Sequence, residues 1–241
     1  MKTNKEMKQM MKKAVITDRG RLIAGSAVTL LLGGVSLFGF LAAQAVAVWL
    51  SAGLHAGRFE TAGVVSFLYI ILAFHLLAAV TVGGCVELGY DRAVLMRIRQ
   101  EPAARGVLFY YKPIWFQAMT LRVLMAVKAT LWFAVLFVPG IAAVLNYSLA
   151  PYLMAQNPHI TPPEAIKTSK YLMRGYKVKL FLLLLSFLDE IIISILALGI
   201  PFIYVIPRIK TAIAVFYRER VALHDREVCR MTGISMNGEI V

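Results

Sequence analysis

Charge is scarce in this chain of 241 residues, and acid is scarcer than base. Asp and Glu number 13 against 26 Lys and Arg, and charged residues of both signs make up 16% of the sequence, where a soluble protein carries roughly 25%. Hydrophobic residues take 59% and the mean hydropathy is +0.71, more apolar material than the core of a soluble domain of this length needs. Cysteine is nearly missing: Cys85 and Cys229 stand in no metal or redox spacing, so a disulfide framework is excluded and both are expected as free thiols. Enzyme signatures are missing too, with no H-E-x-x-H, no G-x-S-x-G and no P-loop, so no catalytic residue, cofactor or metal ligand is expected. The net charge of +13 would suggest nucleic acid in a soluble protein. Here the cations gather at the ends of apolar runs, as the positive-inside rule requires, so the charge reads as orientation and nucleic acid is set aside as a partner.

What is present is a series of apolar runs. They predict an all-α, polytopic membrane helix bundle of about six segments in three hairpins, with amphipathic cytoplasmic helices. Residues 1–21 form a basic cytoplasmic head, residues 22–217 the membrane domain and residues 218–241 a polar cytoplasmic tail. The segments fall at about 22–50, 63–86, 114–138, 141–155, 180–198 and 202–217. Segment 22–50 ends near Ala43-Gln44-Ala45, which resembles a signal-peptidase site, but the apolar run is too long for a leader and reads as an uncleaved anchor. Glu87 to Lys112 reads as a basic cytoplasmic linker broken at Pro102, and Pro139-Gly140 as the turn between the third and fourth segments. Every Lys and Arg outside the segments except Arg58 then lies on one side, which puts both termini in the cytoplasm. In the competing layout the short segments 141–155 and 202–217 are re-entrant.

Thr161, Pro162, Pro163 and Glu164 form a capping box that opens a helix. Lys167, Lys170, Arg174 and Lys177 then share one face, with Ala165, Ile166, Leu172, Met173 and Tyr176 roughly opposite, and Gly175 is placed to bend the chain into the next segment. Such a helix can lie in the headgroup layer with its cations on anionic lipid, or it can be an ordinary solvated loop helix. Phe109, Tyr110, Tyr111, Trp115 and Phe116 beside Lys112 read as an interfacial aromatic belt, and Gly33, Ala42, Gly83 and Gly84 as helix-packing contacts.

Ionisable groups inside the segments are the remaining chemical signal, because a charge at the bilayer centre costs ~2.5–3.5 kcal/mol and needs a partner. Counted from the turn near Gly199, Asp189 and Glu190 lie ~15 Å deep. Arg208 and Lys210 match that depth on the returning segment, and Lys128 and His75 are also central. Asp189 and Glu190 are therefore expected to be neutralised by Arg208 and Lys210, with Lys128 as a further contributor. Such pairs can simply fix helix register, or they can line a polar site for an ion, proton or small solute. His75 alone reads as a helix-to-helix hydrogen bond or a polar site. Three function classes follow: a non-enzymatic accessory or scaffold subunit contacting lipids or membrane proteins, a small transporter or channel, and an intramembrane enzyme.

The order of Pro139-Gly140-Ile141, Tyr147, Tyr152, Asn157-Pro158, Ala165-Ile166, Ser169, Leu172-Met173-Arg174-Gly175, Leu180-Phe181, Ser186-Phe187, Pro207 and Phe216-Tyr217 resembles the bacterial integral membrane family catalogued as domain of unknown function 975. Asp189 and Glu190 stand where that family has a small residue and a tryptophan, and Arg208 where it has a tyrosine. The resemblance implies a multi-helical, multi-pass protein of the bacterial cytoplasmic membrane, and it brings no activity with it.

Overall fold

The computed structural model describes residues 19–32, 66, 69–70, 73, 81–101, 106–196, 201–224 and 227–228. Its elements are α1 (Arg19–Leu32), α2 (Gly83–Ile98), two 3₁₀ turns (Val107–Phe109 and Lys112–Ile114), α3 (Trp115–Val135), α4 (Phe137–Tyr147), α5 (Ala150–Gln156), α6 (Pro162–Leu172), α7 (Lys177–Leu185), α8 (Leu188–Leu196) and α9 (Phe202–Leu223). The architecture of the described residues is all-α. Two stretches, Val107–Val135 and Phe137–Gln156, are long and apolar enough to cross a membrane; six segments are not shown. Most of segments 22–50 and 63–86 lies outside the described residues, as do Arg58, His75, Pro102, Cys229 and nearly all of the basic head.

The helix at the centre is α2, packed by α1, α3, α5, α9 and the first 3₁₀ turn. This corrects the expected linker. The chain does not leave the apolar run at Val86 but stays helical to Ile98, because Val86, Leu88, Tyr90, Val94 and Leu95 are all buried and drive the helix inward. Close approach is built in: a Cβ at Gly89 would overlap the backbone of Leu108, and one at Gly84 would come within 3.0 Å of the Ala118 backbone.

The turn between α3 and α4 is also corrected. Leu136, extended at φ −159° and ψ 147°, breaks the chain, and Pro139-Gly140 lies inside the first turn of α4. A proline there costs no hydrogen bond, because the first-turn N–H groups have no helical partner. The glycine serves packing instead, since a Cβ at Gly140 would run into the Phe133 ring of α3.

Segment 141–155 is likewise not one helix. It breaks at Ser148-Leu149, and Ser169 of α6 closes the break: its hydroxyl donates to Asn146 O at 2.6 Å and accepts from Leu149 N–H at 3.3 Å. Segment 180–198 divides at Ser186-Phe187 into α7 and α8.

The expected capping box is present. Thr161 N–H and hydroxyl both donate to Glu164 Oε2, at 3.1 and 2.7 Å, which also holds the Glu164 carboxyl below its ordinary range. Gly175 turns the chain at φ 76°. The apolar face of α6, including Ala165, Ile166 and Leu172, is buried against protein. It is therefore not free to sink into a headgroup layer.

Helix α9 contains Pro207, which has no N–H to give to Ile203 O. The Ser26 hydroxyl of α1 lies 2.8 Å from that carbonyl and also 2.8 Å from Ile23 O of its own helix, so one proton serves both. The expected tail does not begin at Arg218, because α9 continues to Leu223 and its last turns are packed. Arg218 Nη1 donates to Ile98 O at 3.1 Å and Arg220 Nε to Leu172 O at 3.1 Å. Both acceptors are the final residues of helices, whose carbonyls lack helical donors and carry the negative end of the dipole. Arg220 is 1% exposed and lies 3.4 Å from the centre of the Tyr176 ring.

Candidate functional site

Glu87 and Asp91 are one turn apart on α2, so both carboxylates face the same way. They meet Lys210, which α9 delivers one turn beyond Pro207. Lys210 Nζ lies 2.8 Å from Glu87 Oε1, 3.0 Å from Asp91 Oδ1 and 3.3 Å from Asp91 Oδ2. Arg122 of α3 approaches the other Glu87 oxygen at 3.8 Å. From α5, the Tyr152 hydroxyl donates to Lys210 O at 3.0 Å, and its ring stacks on Tyr217 with centres 5.8 Å apart. Four helices thus contribute to one cluster.

Two cations face two acids here, but the acids are not equivalent. Glu87 is partly exposed, with Lys210 and Arg122 both within reach, whereas Asp91 is fully enclosed, at 0% exposure, against Lys210. The cluster can act as a fixed ion-pair clasp, or hold one exchangeable proton on Asp91.

This is not the grouping expected from the sequence. Lys210 turns away from α8 toward α2. Of the adjacent acids on α8, Glu190 meets Arg208, with Nη1 2.7 Å from Oε1. Asp189, about 100° around the helix, is exposed and has no ion-pair partner among the described residues. Lys128 sits on the outer face of α3 and makes no ion pair among the described residues either. Glu87 and Asp91 were missed because they were read as part of a linker; their signal is the four-residue spacing of two acids inside an apolar helical pattern.

Lys167 and Lys170 on α6 are exposed, as is Arg174 in the turn after the helix ends at Leu172, and Lys177 is half-exposed at the start of α7. Lys170 lies 5.5 Å from the centre of the Tyr147 ring, and Arg174 is 5.9 Å from that of Tyr171. The aromatic belt needs one change, because Tyr111 is buried rather than interfacial. Its hydroxyl donates to Ala155 O and accepts from Arg92 Nη1 at 3.2 Å. Phe109, Tyr110, Trp115 and Phe116 remain exposed.

An all-α protein with two stretches fit to cross a membrane and a partly buried ion-pair cluster between its helices is the class these observations define. Residues 107–223 match the family model described as Protein of unknown function (DUF975), the family that the ordered residues from Pro139 to Tyr217 resemble. The match takes in Arg122, Tyr152 and Lys210 and leaves out Glu87 and Asp91. No curated protein and no solved structure matches the chain.

Proposed function

We propose that the protein is a non-enzymatic accessory or scaffold subunit of the bacterial cytoplasmic membrane. It holds anionic lipid headgroups, and through them or beside them other membrane proteins, on its cytoplasmic face. The observation that supports this reading is the division of α6: one side is locked into the fold, while Lys167 and Lys170 are exposed on the other, with Arg174 and Lys177 just beyond the helix. A rigidly mounted row of cations near an anionic surface gains about 1 kcal/mol per charge at moderate salt. The test is thermal stability in nanodiscs with and without anionic lipid. Wild type is expected to gain several degrees from the anionic lipid, and the Lys167→Gln/Lys170→Gln/Arg174→Gln variant to lose most of that gain. An equal gain in both would reject the assignment.

A small proton-linked transporter is the second reading, supported by the enclosure of Asp91 beside Lys210. Saturable flux from the purified protein in liposomes, abolished by Asp91→Asn, would favour it over the scaffold.

A further inference from the structure

Two helix faces on the outside of the molecule carry the same unsolved problem. On α3, Val127, Leu131 and Val135 are 50%, 63% and 68% exposed, and Lys128, half-buried, lies beside them. On α8, Leu188, Ile192, Ile193 and Leu196 are 45–79% exposed, and Asp189 lies among them. Each face is an apolar stripe bearing one charge with no ion-pair partner among the described residues, and the charges are opposite. Lipid alone is a poor cover for either, because a lone charge facing acyl chains is costly.

The spacing of the two stripes also agrees. Lys128, Leu131 and Val135 repeat the intervals of Asp189, Ile192 and Leu196, three residues and then four. Laid side by side in parallel, they set the ammonium against the carboxylate, and the two apolar layers above coincide. Parallel is the direction that membrane geometry permits. In the layout read from the charge distribution both helices run outward, and rotation about the membrane normal keeps that direction from one copy to the next. Glu190 cannot compete for Lys128, since it is engaged by Arg208.

We infer that a second copy of this chain docks on the first, with the α3 stripe of one copy against the α8 stripe of the other and Lys128 paired with Asp189 across the contact. The inference does not rest on lipid binding by α6. The experiment uses full-length protein with Cys85 and Cys229 replaced by serine. Lys128→Cys and Asp189→Cys chains carrying different tags are expressed together and oxidised in the native membrane. The expected product is a disulfide joining the two tags. Disulfides formed only between identical variants would overturn the inference, as would a Lys128→Cys/Asp189→Cys chain that closes only on itself or protein that is monomeric in nanodiscs. Charge reversal supplies the second arm. Lys128→Asp is expected to lower the dimer fraction roughly tenfold, and adding Asp189→Lys to the same chain to restore it. If Lys128→Asp does not accumulate, Lys128→Gln is read in the same way; a dimer fraction unchanged by either substitution overturns the pairing.

Discussion

Lys210 is the residue whose environment departs most from expectation, and it carries the sharpest mutational consequence. Replacing it with alanine strands Glu87 and Asp91 together inside the bundle. We expect Lys210→Ala to cost about 3–5 kcal/mol in a detergent unfolding experiment. Asp91→Asn should do far less harm, because Glu87 still neutralises the ammonium. At this scale the sequence was half legible. The need for a partner could be read from the cost of burying Lys210, whereas the partner's identity depends on which face of a distant helix turns inward.

Among the elements, α6 and its cap were legible because everything that determines them is local. A threonine, two prolines and a glutamate within four residues specify the start, and the periodic cations specify the outer face. Helix α2 was misread as a linker because its charges looked like orientation signals, and their burial arises only after α3, α5 and α9 pack around it. The break at Leu136 was displaced from the expected Pro139-Gly140, and the one at Ser148 was not expected at all, for a related reason: a proline in a first turn is harmless, and a hydroxyl from another helix can satisfy a broken one. That second device is testable. Ser169→Ala leaves Asn146 O and Leu149 N–H without their partner, and we expect a loss of about 1–3 kcal/mol. Ser26→Ala, which removes the hydroxyl that Ile203 O shares with Ile23 O, should shift the melting temperature in the same direction. Ser26→Thr, which keeps the hydroxyl, is expected to recover part of it.

For the whole molecule, the asymmetric placement of Lys and Arg supports a cytoplasmic α6. In a cysteine-free background, Lys167→Cys in sealed, right-side-out cells should resist an impermeant maleimide and react only after permeabilisation; reaction from outside would invert the topology. The class was legible because hydropathy sums over the chain and needs no contacts. The connections that close the bundle were not, since they join residues far apart in sequence. Those that span the most sequence among the described residues converge on α9, which meets α1 through Ile203, α2 through Lys210 and Arg218, and α6 through Arg220. This gives the fold an order in time. Asp91 leaves the ribosome 119 residues before Lys210 does, which at ordinary rates of synthesis is roughly 6–24 s. Throughout that interval Asp91 is without the ammonium that pairs with it, since Arg122 reaches only Glu87. The nascent chain must keep Asp91 protonated, hydrated or in the hands of an insertion factor until the last helix arrives, so a message truncated before codon 210 should yield a product that is made at the normal rate and degraded far faster than the full chain.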